Sequence, residues 1–183
     1  MQVTIVSYNI QTMTISKAIE YLDLVDEDDK VVGREDRNVI YTKGLKNYRV
    51  ANIFVFNSDS KILLPKRDST RRIFPNCYDF SCGEHVKSGE TYEQAAIRGL
   101  EEELNLTNVR LSLIGKLTPQ NGVSSFMKIY KVIYTGKILP NKHEGIESIN
   151  FYPLGKIREM IFKDPKTFKD DIPKVINLLG ENL

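Results

Sequence analysis

Glu101, Glu102 and Glu103 lie near the end of a segment, GEHVKSGETYEQAAIRGLEEELNL, that runs from Gly83 to Leu106. Thr91, with Gln94 three residues on, is a capping-box opening for a helix. Asn105 suits the left-handed conformation that closes one. At 100° per residue Ala96, Ile97, Leu100 and Leu104 gather on one side, which should face a core. Position 99 forms a second side with Glu102 and Glu103, spaced i, i+3 and i+4, while Glu101 points elsewhere. Two carboxylates crowded on a partly buried face repel each other unless something positive sits between them. A hard divalent cation meets that need, because Mg²⁺ takes oxygen ligands and bridges to phosphate oxygens. The plainer reading of a glutamate run is a solvated helix face.

Other charged groups could join such a site. No Asp or Glu occurs between Leu104 and His143, whereas Arg110, Lys116, Lys128, Lys131, Lys137 and Lys142 do. They make either one positive wall for an anionic substrate or ordinary solvent-facing strand positions. A further acid from downstream must then be Glu144 or Glu147, each equally readable as a surface residue. Lys66, Arg67, Arg71 and Arg72 are candidate phosphate clamps upstream of the helix.

The elements that would hold these residues are legible from turn and strand chemistry. Val50–Phe56 is a β-rich apolar run, Asn57–Ser60 supplies a turn, and Lys61–Leu64 resumes the strand. Val109–Leu117 and Phe126–Tyr134 are two more strands, and Phe162–Leu179, interrupted by Pro165 and Pro173, suggests C-terminal helical pieces. Strand, strand, helix, strand, strand, helix predicts an α/β (α+β) domain with a mixed sheet over residues 48–183. Residues 1–47 form an N-terminal extension in which Ile15–Leu24 reads as a short helix or a strand. Asp26–Asp29 in that extension reads as an exposed turn.

Composition narrows the partners. With 183 residues and 26 Lys+Arg against 24 Asp+Glu, the net charge is +2, which excludes a generally polybasic binder of nucleic acid polymers. The 41% hydrophobic and 27% charged shares describe a globular chain. No apolar run is long enough to span a bilayer, and the first 20 residues lack a secretory pattern. Two cysteines, Cys77 and Cys82, fit a reduced, cytoplasmic setting.

The segment from Glu84 to Leu106 resembles the signature of the Nudix hydrolases: Gly, five residues, Glu, seven residues, then Arg-Glu-apolar-any-Glu-Glu-any-Gly-apolar. Glu90 and Arg98 fall on the first Glu and the Arg, Leu100 on the apolar position, and Glu102 and Glu103 on the paired acids. The flanks Leu63-Leu64, Phe74-Pro75 and Phe151–Leu154 extend the resemblance over about residues 48–165. It implies a Nudix-type α/β/α sandwich and a Mg²⁺ (or Mn²⁺) ion held by Glu102, Glu103 and the Gly83 carbonyl. It further implies cleavage of a diphosphate linkage in a nucleoside diphosphate derivative or similar small metabolite. Glu90 and Arg98 would pair structurally, Lys66, Arg67 and His85 would meet substrate, and Glu144 or Glu147 would supply a base. A homodimer is compatible with the pattern.

Three signature positions differ: Glu84 stands for the opening Gly, Gly99 for the Glu after Arg98, and Asn105 for the closing Gly. Gly99 removes one of three helix carboxylates, and Glu84 could send a replacement from the loop. A Gly99→Glu variant tests this: a strong rise in activity would mark the natural protein as a weakened enzyme. Asp23–Asp26 and His85 also resemble the branch related to isopentenyl diphosphate isomerase. Gly83 stands where those enzymes carry a catalytic Cys, and Cys82 is one residue out of register. A Nudix-fold module that binds a diphosphate with little turnover is the third reading, motivated by Gly99.

Overall fold

The computed structural model describes residues 19–179, so the Ile15–Ala18 part of the predicted leader element lies outside it. The remainder of that element is a strand. β1 (Tyr21–Val25) and β2 (Val31–Asp36) form an antiparallel ribbon around the Asp26–Asp29 turn, where Asp26 Oδ1 accepts the amides of Asp28 and Lys30. α1 (Arg37–Lys43) follows at once, capped by Asp36 and closed by Gly44 at φ 63°, a conformation that favours glycine.

The main sheet comprises β3 (Arg49–Phe56), β4 (Ile62–Arg67), β5 (Cys82–His85), β6 (Ser112–Leu117), β7 (Phe126–Ile133) and β8 (Ile146–Tyr152). Its order is β6-β7-β3-β4-β8, with β5 also on β3. β3 and β7 run parallel and the other pairs antiparallel, so the sheet is mixed, as expected. The alternation of β3 sets the layers. Ala51, Ile53 and Val55 pack against α2 (Tyr92–Leu104). Val50, Phe54 and Phe56 pack on the opposite side, together with Ile40 of α1, Ile157 and Ile161 of α3 (Leu154–Lys163), and Ile172, Val175 and Ile176 of α4 (Asp171–Leu179). The result is an α/β/α sandwich.

Several local expectations shift. Ile97 is 44% exposed; the buried face of α2 is instead Tyr92, Ala95, Ala96, Gly99, Leu100 and Leu104, because small residues let the helix lie close over β5. Pro173 does not interrupt α4, since it falls in the first turn, where a missing N–H breaks no helical bond. β6 begins at Ser112, not Val109, and the C-terminal helices begin earlier, at Leu154.

What opens the site is a splay between neighbouring strands. β3 and β4 are in register only at Phe56 and Ile62. The segment leading into β5 crosses from one to the other: the amides of Arg67 and Asp79 bond to Cys77 O and Pro65 O, and Cys82–His85 then pair with β3. At the crossing, the buried Ser81 hydroxyl donates to Leu63 O (2.6 Å) and accepts from the Val55 amide (2.8 Å). One side chain thus serves an amide of β3 and a carbonyl of β4 that do not meet across a ladder.

Candidate active site

A cavity of about 480 Å³ opens at this splay, with Gly83, Glu84 and His85 of β5 and Glu103 of α2 along one wall. Asn52, Arg67, Asp79 and Lys169 line it as well, as do Tyr41, Tyr48 and Glu144. The helix delivers Glu103 because its ends are well defined. Thr91 Oγ1 accepts the Gln94 amide, Gln94 Oε1 accepts the Thr91 amide, and Asn105 closes the helix at φ 55°.

Arg98 holds this wall together. Its guanidinium donates to both oxygens of Glu90 (2.9 and 3.0 Å), to Glu84 (2.9 Å), to Glu102 (3.2 Å) and to the His85 carbonyl (3.0 Å). A planar fork can join a loop, a strand and its own helix in this way, where a point charge could not. Burial works against a charged Glu90, yet Arg98 and the Lys87 amide outweigh it and hold the carboxyl below its usual range. Glu102 faces Arg98 rather than the cavity, and its side chain is half exposed.

Gly99 and Glu84 explain each other. A Cβ at position 99 would overlap Glu84 Cγ outright and lie 2.8 Å from Cys82 Sγ and 3.3 Å from Glu84 Cβ. The space a helix side chain would fill is occupied by a side chain from β5. The two departures from the signature are therefore one reciprocal exchange: the carboxylate has moved from helix to strand, and the glycine the other way. Glu84 and Glu103 consequently line the same wall of the cavity, where each bears on the other's charge. Burial raises the proton affinity of both; the negative charges of Glu84 and Asp79 raise Glu103 well above the carboxylate range, whereas Arg98 moderates Glu84.

Two buried carboxyls whose charges oppose each other suit a hard divalent cation, which takes oxygen ligands and keeps several waters of its own. Among the described residues, no three His, Cys, Asp or Glu side chains already converge as a ligand set. The donor set facing the cavity is Glu84, Glu103 and the Gly83 backbone. Glu102 would join only by leaving Arg98.

The NUDIX domain model matches residues 46–174. The chain belongs to the Nudix family. It is 44% identical over 167 residues to an uncharacterised Nudix hydrolase of Nostoc sp., an alignment covering 90% of this chain and 98% of that one. A crystal structure of a Deinococcus radiodurans protein superposes with a TM-score of 0.79 at 31% identity, covering 87% of this chain and 99% of that one. An isopentenyl-diphosphate Delta-isomerase of Photorhabdus laumondii is 29% identical over 168 residues, 88% of this chain and 93% of its own. Nudix hydrolases cleave pyrophosphate bonds and generally use divalent cations, and the acidic wall here is shared between β5, which carries Glu84, and the helix of the matched segment, which carries Glu103.

Within this Nudix fold the expected site residues separate into two groups. Gly83, Glu84, His85, Glu103, Arg67 and Glu144 line the cavity. Lys66 and Glu147 do not: they form a surface ion pair (2.9 Å) between β4 and β8. The lysines of β6 and β7 make no wall here either. Lys128 lies over the Tyr92 ring and Lys131 over Phe56. Arg67 is largely committed to structure, donating to Asp79 (2.7 Å) and to the carbonyls of Ile73 and Phe74. His85 stacks on Tyr48 and bonds through Nε2 to the Tyr41 hydroxyl (2.8 Å). Burial and the charges of Arg37, Lys169 and Arg98 push its pKa down to about 3, so it stays neutral. Cys82 is fully buried against α2, and burial together with Glu103 and Glu84 pushes its thiol up, the opposite of an activated cysteine.

Sequence reasoning did not find Asn52, Asp79 or Lys169. Asn52 carried a signal, as the one polar residue inside the apolar Val50–Phe56 run. Asp79 and Lys169 carried none, because they meet only through the pairing of Tyr78 with Phe168.

Proposed function

We propose that this protein is a Mg²⁺- or Mn²⁺-dependent hydrolase that cleaves a diphosphate linkage in a nucleoside diphosphate derivative or similar small metabolite. The observation that carries the reading is the Glu84–Glu103 pair facing the cavity, with Gly99 vacating the helix position for Glu84. Glu84, Glu103 and the Gly83 carbonyl would hold the cation. When bound, such an ion neutralises the diphosphate and lowers the pKa of an attacking water. Arg98 donates to Glu84 and so fixes its direction, and Glu90 keeps Arg98 in place. Glu144, rather than Glu147, is the downstream acid at the cavity and so the candidate to accept the water's proton.

Turnover should appear in a panel of nucleoside diphosphate derivatives with Mg²⁺ or Mn²⁺, and stop with chelator and with Glu103→Gln. No turnover across that panel, with cation-dependent ligand binding intact, would replace this reading with the binding module. Isomerase chemistry has little support: Gly83 stands at the cysteine position, and Cys82 is sealed beneath α2. Allylic rearrangement of isopentenyl diphosphate by the purified protein would reverse that judgement.

A further inference from the structure

We propose that Lys169 is the phosphate-contact residue of this cavity, a cation supplied by the C-terminal segment and aimed at the diphosphate by Asp79. The inference rests on the hydrolase reading above and names a residue that the Nudix signature does not contain.

Lys169 is placed by backbone, not by chance. The Tyr78 amide donates to Thr167 O (2.8 Å), and the Lys169 amide donates to Tyr78 O (2.9 Å), so Phe168, just after the 3-10 turn Pro165–Thr167, makes a single parallel bridge to the crossover segment. Phe168 is buried below it, and the Ile172 amide bonds to Lys169 O, where α4 begins. The ammonium then lies 3.3 Å from Asp79 Oδ1, while Asp79 Oδ2 takes Arg67. Asp79 thus pairs with two cations of unequal commitment. Arg67 spends its donors on Asp79 and two loop carbonyls. Lys169 has one ion pair among the described residues, and an ammonium carries three N–H groups.

Its surroundings point to a ligand. Lys169 Nζ is 3.9 Å from where a Cβ on Gly83 would lie, and Asn52 Oδ1 is 2.9 Å from the same point. Asn52 is buried, lines the cavity, and its Oδ1 has no hydrogen-bond partner among the described residues. Asn52 Oδ1, an acceptor, suits a donor such as a water on the bound cation. The Lys169 ammonium, held by Asp79 and lying over the Phe80 ring, supplies positive charge for an anion. The two flank one glycine beside the acidic pair. A diphosphate bridging a cation on Glu84 and Glu103 would present its outer oxygens there, where Lys169 can contact them as a point charge.

Calorimetry with Mn²⁺ alone, and then with methylenediphosphonate, a non-hydrolysable diphosphate, tests this. Lys169→Met should weaken Mn²⁺-dependent methylenediphosphonate binding tenfold or more and leave Mn²⁺ uptake unchanged or tighter, since a positive neighbour of Glu103 has gone. Lys169→Arg should recover most of the affinity, and Lys163→Met on the exposed end of α3 should change nothing. Anion affinity within twofold of wild type in Lys169→Met would overturn the proposal. Parallel loss of Mn²⁺ and anion with a lowered melting temperature would overturn it too, by making Lys169 structural; Lys169→Gln provides a second variant if Met does not fold. Wild-type protein that takes up no Mn²⁺ would instead overturn the hydrolase reading, and the lysine is then judged on methylenediphosphonate alone.

Discussion

Restoring Glu at position 99 should harm this protein unless Glu84 is removed at the same time. A Cβ at 99 would overlap Glu84 Cγ and come within 2.8 Å of the buried Cys82 Sγ, against an ordinary contact of about 3.5–4.0 Å. The clash is near the root of Glu84, so the side chain cannot relieve it by moving its tip alone. Forcing extra atoms into such a place costs about 1–3 kcal/mol, offset by roughly 0.5–1 kcal/mol from removing a helix-interior glycine. Glu84→Gly alone makes room but removes one partner of Arg98, a loss of about 1–3 kcal/mol. In the double variant the helix carboxylate occupies the space that Glu84 vacated, and the two losses should not add. The expected coupling is about 1–3 kcal/mol in a double-mutant cycle by urea unfolding. Mn²⁺ titration should show uptake impaired in both single variants and largely recovered in the double. Single losses that sum to within about 0.5 kcal/mol, or a Gly99→Glu variant that is more stable and more active by itself, would refute the reciprocal exchange.

Three further outcomes follow from the same wall. Glu103→Gln should abolish cation-dependent turnover while raising stability at neutral pH by about 1 kcal/mol, because it removes a charge that burial and Glu84 disfavour. Since that carboxyl is raised on folding, the gain should shrink as pH falls toward the unfolded carboxylate value, which denaturant titrations at several pH values would detect. Asp79 works in the opposite sense: burial opposes its charge, but Lys169 and Arg67 hold it below the usual range, so its contribution is present above about pH 4 and lost as pH falls through the folded value. Asp79→Asn should therefore cost about 3–5 kcal/mol at neutral pH and flatten the acid limb of the stability curve. Arg98→Lys should lower the melting temperature by several degrees at about 2–4 °C per kcal/mol, and expose the 84–90 loop to protease, because no ammonium can serve Glu90, Glu84 and the His85 carbonyl together.

The helix and its caps were legible from Thr91, Gln94 and Asn105, whose side chains act within one turn. The β3–β4 hairpin was legible for the same reason, through Asn57–Ser60. Glu90 and Arg98 could be paired because a signature supplies their spacing. The meaning of Gly99 could not be read from the helix alone, since its reason is a side chain fifteen residues earlier on another element. Ile97 was misplaced because periodicity counts apolar residues and ignores how closely a strand can approach. Lys169 and Asp79, ninety residues apart, meet only once the C-terminal segment has docked on Tyr78. Arg67, the clamp favoured by resemblance, turns out to be occupied by carbonyls of a loop whose path has no sequence marker.

The Ser81 hydroxyl between Val55 and Leu63 gives the cavity a width of its own. Ladder bonds would draw the two strands together to the ordinary spacing, and a larger bridge would push them apart. A single Oγ sets the gap at one fixed value, in the interior and away from anything that enters from solvent. The aperture is thus a property of the folded chain before any guest arrives, and the selectivity of the pocket begins with a residue that no guest will touch.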